Sequence, residues 1–189
     1  MTRIPEPSRE QLTPDARRVF DRIATTRGAL RGPYGVLLHH PALAERVGAL
    51  GEQIRFASGL PAPDRELAIL TAGREAGSPY EWAAHEPIAR DAGTRAEAIA
   101  CVRDGGATDG LARREAVIVD TVRALYRTRG LTEAELRRAE GELGRAGTIE
   151  LIVLAGYYGL IALVLNAYDV DLPAGTDPAT LPPAPSGRR

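Results

Sequence analysis

The stretch "SPYEWAAHEPIARDAG", residues 78–93, decides how the rest of the chain is interpreted. In a helix, side chains three and four residues apart lie on one face. Here that face carries Ser, Glu, His, Ile, Ala and Ala at positions 78, 81, 85, 88, 89 and 92. A carboxylate, Glu81, and an imidazole, His85, thus lie among small and apolar side chains. Because Glu86 and Arg90 occupy the opposite side, we predict that Glu81 and His85 point into the protein.

The beginning of this stretch also fits a purely structural role. Ser78, Pro79 and Glu81 have the pattern of a capping box, in which the glutamate side chain reaches back to the N-cap amide. This interpretation explains Ser78 and Glu81 but not His85, and a lone buried histidine is often simply a hydrogen-bonded core residue. The sequence leaves the cap and the chemical site open as alternatives for Glu81.

The preceding helix carries a second carboxylate that is also predicted to point into the protein. In "PDRELAILTAGREAG", residues 63–77, the face of Glu66 continues through Ile69, Leu70, Gly73 and Gly77. Glycines on a helix face let a neighbouring helix approach closely. A single inward carboxylate would be costly, but two carboxylates and an imidazole can share protons and separate their pKa values. We therefore predict one acid–base site on consecutive helices.

Helical periodicity dominates the chain, and no segment shows the sustained alternation typical of a strand. Proline, glycine and capping signals place the predicted helices at about 14–28, 41–56, 63–77, 79–93, 94–103, 113–129, 132–144 and 148–167. The last is apolar on all sides, so we expect it at the centre of the fold. These patterns predict an all-α bundle of about seven to eight helices.

The chain divides into three parts by composition. We expect residues 1–13 to form an N-terminal extension and 14–172 a helical domain. Residues 173–189 are rich in proline and are predicted to be a disordered tail. With 189 residues, 44% of them hydrophobic and 26% charged, a single globular domain is expected.

Charge and cysteine content exclude several classes of function. The net charge is −1 and the basic residues are scattered, which argues against a nucleic-acid partner. All 24 basic residues are Arg, so Schiff-base lysine chemistry is excluded. The single cysteine, Cys101, excludes an intramolecular disulfide and any Cys-x-x-Cys site.

Two observations concern cellular location. The first residues contain no apolar segment typical of a secretory signal. The longest apolar run, 151–165, is shorter than the about 20 residues that a membrane span needs. We therefore expect a cytoplasmic protein with no membrane partner.

The spacing Glu66…Ser78-x-x-Glu81-x-x-x-His85, with "REL" before it and "YEW..H" within it, resembles the carboxymuconolactone decarboxylase family. That family shares an all-helical fold with the alkylhydroperoxidase D-like proteins, whose peroxidase branch has Cys-x-x-Cys-x-x-x-His on this helix. Here Ser78 and Glu81 stand at the two cysteine positions, while Glu66 and His85 match. The resemblance covers about residues 40–110, and "GYYGLIALVLNAY" fits the longer members.

The resemblance implies a cofactor-independent lyase, a decarboxylase of a small carboxylated lactone or related unsaturated acid, as in aromatic catabolism. In this interpretation His85 carries the proton, Glu81 orients His85 or exchanges protons with it, and Glu66 is the relay. Proton transfer by a correctly positioned side chain increases the rate of a reaction by about 10²- to 10⁴-fold. Thiol peroxidase activity is excluded, since activated thiols are the nucleophiles of that branch.

Other functions remain open at this stage. An isomerase or lactone-processing enzyme would use the same proton relay without losing carbon dioxide. A non-catalytic oligomeric binder of small molecules is the alternative from another class. The family suggests a homo-oligomer, a trimer or hexamer with a dimer as the alternative, and one domain offers limited interior to cover the apolar helix at 148–167.

Four further residues are predicted to bind substrate: His39 and Tyr34 in the connector "RGPYGVLLHHP", Arg74 and Trp82. His39 and His40 are consecutive, so only one of them would face a pocket. Arg74 would hold a carboxylate, with a surface salt bridge as the alternative. No metal is predicted, because no His-Glu-x-x-His spacing is present, although carboxylates and imidazoles form a chemically sensible ligand set.

Overall fold

The computed structural model describes residues 2–27, 30 and 32–183. Within them it contains α-helices and no strand, which confirms the predicted all-α fold. The helices are α1 (Pro14–Arg27), α2 (Pro33–Leu37), α3 (Pro41–Phe56), α4 (Ala62–Glu75), α5 (Pro79–Asp91), α6 (Ala96–Asp104), α7 (Arg113–Thr128) and α8 (Glu133–Ala167). Short 3-10 helices lie at Arg9–Gln11 and Pro178–Thr180.

Helix α4 occupies the centre of the bundle. It packs against α5, α6, α7 and α8, and its residues from Glu66 to Gly73 are all buried. The helix at 148–167 packs against α2, α3, α4, α5 and α7, but it is not buried on all sides, because α8 leaves Leu160 and Leu163 exposed to 42% and 72%. An apolar sequence alone does not reveal which side of a helix its neighbours cover.

Helix α8 consists of two helical segments joined at Gly144. This residue has φ 71° and ψ 166°, a conformation that glycine adopts without the steric cost that a Cβ brings. The break agrees with the two helices predicted at 132–144 and 148–167. The first segment is capped by Thr132, whose hydroxyl accepts a hydrogen bond from the amide of Glu135.

By length and composition alone, α8 would be able to cross a membrane, because its most apolar window has a mean hydropathy of 2.0. Half of that window is buried inside the protein. Core helices of soluble proteins have the same composition, so this property is weak evidence for a membrane.

The turn between α4 and α5 brings the two predicted site helices together. Gly77 lies beyond the end of α4 and has φ +61°, and the amide of Ser78 donates a hydrogen bond to the carbonyl of Gly73 at 2.9 Å. A Cβ added to Gly73 would lie 3.0 Å from the Cβ of Glu81. The predicted close approach of the two helices therefore occurs at Gly73. Gly77 lies in the turn after α4 and does not extend the buried face of that helix.

The two ends of the described chain lie against the helices. The amide of Arg3 donates to the carbonyl of Tyr168 at 2.8 Å, and the amide of Asp171 donates to the hydroxyl of Thr2 at 2.9 Å. Further on, the carbonyl of Thr180 accepts a hydrogen bond from Trp82. The division into extension, domain and disordered tail stays a prediction, and residues 184–189 of that tail lie outside the described residues.

The close approach at Gly73 leads to a prediction about stability. We expect Gly73→Val to lower the free energy of unfolding by about 1–3 kcal/mol, because the added side chain would press against Glu81. Denaturant unfolding measures this change. Gly141→Ala on α8 is the control, since nothing lies within 4 Å of a Cβ added there, and it should stabilise by up to about 1 kcal/mol. Equal stability of Gly73→Val and the wild type would contradict the close approach.

Candidate functional site

Glu66, Glu81 and His85 form one cluster, as their spacing predicts. His85 Nδ1 lies 2.8 Å from Glu66 Oε2, and His85 Nε2 lies 3.5 Å from Glu81 Oε2. All three residues are buried, with at most 5% of their surface exposed. The imidazole thus has one carboxylate at each ring nitrogen, the first from α4 and the second from its own helix.

The two carboxylates play different parts around the imidazole. An ionised Glu66 only accepts hydrogen bonds, so its 2.8 Å contact places a hydrogen on Nδ1. That arrangement fixes the tautomer and leaves Nε2 as the nitrogen that accepts or gives a proton. Nε2 is on the side of Glu81, so the proton-transferring edge of the imidazole faces the second carboxylate.

The geometry also bears on the capping alternative for Glu81. Ser78 is the N-cap of α5, and its hydroxyl accepts a hydrogen bond from the amide of Glu81 at 3.4 Å. The amide of Ser78 donates a hydrogen bond to the carbonyl of Gly73, so it does not need the Glu81 side chain as an acceptor. Ser78 therefore caps the helix, while the Glu81 carboxylate lies beside His85.

The charge state of Glu66 depends on its surroundings. Burial raises the pKa of the Glu66 carboxyl, but the hydrogen bond from His85 and the positive charges of His85, Arg55 and Arg65 outweigh burial and lower the pKa below its usual value. Glu66 is therefore ionised near neutral pH. The His85 Nδ1 therefore lies against a negative charge.

A cavity of about 160 Å³ opens beside His85 and Glu81. Tyr34 from α2, Arg55 from α3, and Tyr157 and Tyr158 from α8 line it together with apolar side chains. Glu66 is not among the lining residues and lies behind the imidazole. A molecule in this cavity would therefore meet His85 and Glu81 directly, and Glu66 only through His85.

Tyrosines form part of the cavity wall beside the acid–base pair. The hydroxyls of Tyr34 and Tyr157 are 2.9 Å apart, and the ring of Tyr158 meets that of His85 edge-on with centroids 5.2 Å apart. Burial raises the pKa of Tyr158 well above its usual value. It stays neutral at physiological pH, so this part of the wall is aromatic and uncharged.

Of the four residues predicted to bind substrate, Tyr34 lines the cavity and the other three do not. Arg74 donates from Nε to the carbonyl of Arg103. Trp82 is completely buried and donates from Nε1 to the carbonyl of Thr180. His39 Nε2 contacts the carbonyl of Pro5 at 2.9 Å, and these three side chains serve the packing of loops and tail.

Two further points concern His40 and the cysteine. His40 is the N-cap of α3, and its Nδ1 accepts a hydrogen bond from the amide of Leu43 at 3.4 Å. Neither histidine of the connector is among the residues lining the cavity. Cys101 lies on α6, where its sulfur is 3.3 Å from the carbonyl oxygen of Ala107, so the cavity wall contains no thiol.

The cavity contains a cation that the sequence analysis missed, Arg55. A signal was available, because Ala44, Gly48 and Gly51 form the buried face of α3 and Arg55 follows Gly51 at helical spacing. Tyr157 and Tyr158 also belong to the wall. Among the described residues, no group of three or more His, Cys, Asp or Glu is placed to hold a metal ion.

Fold and site together define a helical-bundle protein with a buried carboxylate–imidazole–carboxylate site beside a small cavity. Residues 41–124, from α3 into α7, match the model of the Carboxymuconolactone decarboxylase family. The match confirms the resemblance over this part of the chain. Comparison with curated proteins gave no match. The match supports a function of the carboxymuconolactone decarboxylase kind in the broad sense.

The lowered pKa of Glu66 leads to a prediction about stability and pH. In the folded protein this pKa lies below the ordinary value of 4.5. The ionised Glu66 carboxylate therefore contributes its full stabilisation above the pKa that it has in the unfolded chain. This stabilisation is lost as the pH falls through the lower pKa that Glu66 has in the folded protein. We expect Glu66→Gln to destabilise the protein at neutral pH, and its difference from wild type to shrink below about pH 4.5. Urea unfolding between pH 7 and pH 3 tests this, and a difference independent of pH would contradict it.

Proposed function

We propose that the protein is a cofactor-independent lyase that removes carbon dioxide from a small carboxylated lactone or related unsaturated acid. The observation that carries this proposal is the arrangement around His85. Its Nδ1 is held by an ionised carboxylate, and its Nε2 and the second carboxylate face one small cavity. Such an arrangement can deliver a proton to a bound molecule at a defined atom.

The reaction would follow from the surroundings of the bound acid. The carboxylate leaves water for a cavity walled largely by aromatic and apolar groups, and its carbon–carbon bond breaks to release carbon dioxide. The bonding electrons pass onto an adjacent lactone carbonyl, which becomes an enolate. His85 then donates its Nε2 proton to carbon, Glu66 stabilises the imidazolium before the transfer, and Glu81 exchanges the proton with His85.

An isomerase or lactone-processing enzyme is the second candidate, and Arg55 favours it. A cation in the cavity stabilises a carboxylate in its ionised state, which opposes the loss of that carboxylate as carbon dioxide. Removal of a proton by His85 and its return at another carbon would use the same groups. A binder without catalysis would show neither reaction.

The roles of Glu81 and His85 predict a clear pattern of activity. We expect Glu81→Gln and His85→Gln each to lower activity by about two orders of magnitude, because each keeps the shape but removes a titrating group. The double variant should lose little more than either single one, since groups that act as a unit are not additive. Activity is measured by NMR on a panel of unsaturated lactone acids, which reports both loss of the carboxylate carbon and isomerisation.

Two comparisons make this experiment decisive. Glu97→Gln removes a carboxylate with 68% of its side chain exposed on α6 and should leave activity and melting temperature unchanged. The pH titration of the His85 ring by NMR, in wild type and Glu81→Gln, needs no substrate. If the imidazole titrates identically in both, the two groups do not interact and the proton-transfer proposal fails.

We also propose that the chain forms a homo-oligomer through α8. Exposed residues on this helix follow the alternating spacing of four and three that is typical of a seam between helices: Ile149, Val153, Gly156, Leu160 and Leu163. We call this set the α8 stripe. A second copy of the chain would cover it, in a trimer or hexamer on the family's pattern or in a dimer.

Light scattering at micromolar concentration tests the oligomer. We expect a mass above that of one chain for wild type and a smaller mass for Leu163→Glu, because a charge would have to be buried in the contact. Leu43→Glu is the control, since Leu43 is 51% exposed on α3 and lies outside the stripe. A monomeric wild type would contradict the proposal.

We also propose a cytoplasmic location and a role in the catabolism of aromatic compounds. Coverage of the α8 stripe by a second copy would account for its exposed apolar residues without a membrane, in agreement with a cytoplasmic protein. A place in the catabolism of aromatic compounds rests on the family match alone.

A further inference from the structure

Arg55 is a cation on the cavity wall. Among the described residues, its guanidinium has neither a hydrogen bond nor an ion pair with another side chain, and its Cζ lies 5.3 Å from the ring centroid of Phe56. It is only half-buried. A guanidinium has five N–H donors in a planar fork that matches a carboxylate, and in Arg55 these donors are available to a bound molecule.

The charge of Arg55 reaches the interior of the site. It is one of the positive charges that lower the pKa of Glu66, and it opposes the rise in the pKa of Tyr158 that burial causes. The cavity therefore has a positive side at the end of α3 and an acid–base side on α5. An anionic molecule with one charged end would be oriented between these two sides.

The size of the cavity limits the molecule. Its volume of about 160 Å³ is close to the 150 Å³ or so of an engineered cavity that binds benzene. A single small ring, or an open chain of similar size, fills such a space.

On the basis of the proposed function, we propose that Arg55 binds a substrate carboxylate that is retained through the reaction. The site then takes a ring-sized unsaturated acid with one carboxylate on Arg55 and the carbon to be protonated at His85 Nε2. Arg55 is a substrate-binding residue that fixes which end of the acid meets the imidazole.

The reason that this carboxylate is retained lies in the energetics of its loss. A guanidinium–carboxylate pair stabilises the charged ground state, and the charge on those oxygens disappears as neutral carbon dioxide forms. An interaction that is stronger in the ground state than in the transition state slows a reaction. A substrate that is decarboxylated here therefore has two carboxylates, whereas a substrate that is isomerised needs only one.

The test uses benzoate and its neutral counterpart benzamide as probes, because both have one ring and differ in charge. Dissociation constants are measured by NMR titration of wild type, Arg55→Gln and Arg46→Gln. Arg46 is an exposed residue on the same helix, so its replacement removes the same charge outside the cavity.

We expect wild type to bind benzoate more tightly than benzamide. Arg55→Gln should weaken the binding of benzoate by about 10- to 100-fold, the usual effect of losing one charged hydrogen-bonding partner. It should leave the binding of benzamide unchanged. Arg46→Gln should bind both probes as wild type does. Equal weakening of both probes by Arg55→Gln would indicate a merely structural role and overturn the proposal, as would unchanged benzoate binding or failure of wild type to bind benzoate.

Failure of this proposal is distinguishable from failure of the proposed function. Benzoate binding requires no turnover, so it reports on Arg55 even if the protein is not a lyase or isomerase. Conversely, the His85 titration in Glu81→Gln reports on proton transfer without involving Arg55. Once a substrate is found, a product that has lost every carboxylate would overturn the assignment of Arg55.

Discussion

The hydrogen bond between Glu66 and His85 is the interaction on which the geometry of the site depends. Both side chains are almost fully buried, with 2% and 7% of their side-chain surface exposed, and a carboxylate at that depth is costly unless it is paired. The imidazole N–H and the nearby arginine charges provide the compensation. Because Glu66 is on α4 and His85 is on α5, this bond also fixes how α5 is rotated against the central helix.

The rest of the site follows from that rotation. With Nδ1 held from α4, Nε2 is directed to Glu81 one turn earlier on α5 and to the cavity. The ring of Tyr158, which is on α8, packs edge-on against the imidazole and restricts its position from that side. Glu66, Glu81 and His85 are all buried, so their charges act on one another more strongly than they would at the surface.

Sequence patterns predicted some of these features and missed others. The inward direction of Glu66, Glu81 and His85 was predictable because helical periodicity is local. Arg74 was assigned to the substrate because it lies near the motif, but its guanidinium binds the carbonyl of Arg103. Arg55, which lines the cavity, is remote from the motif in the chain and was missed. Proximity in sequence was thus a poor guide to which side chains share a wall.

By itself, the sequence determined that the chain is helical, that α5 turns a carboxylate and an imidazole inward, and that α4 supplies a second carboxylate. These features follow from spacing within single helices and from the cost of exposing apolar side chains. Only the tertiary structure decided which nitrogen of His85 meets which carboxylate, that one side of α8 stays exposed, and that Arg55 and the tyrosines line the cavity. Those outcomes depend on the angles and distances at which helices far apart in the chain pack, and no local pattern encodes them.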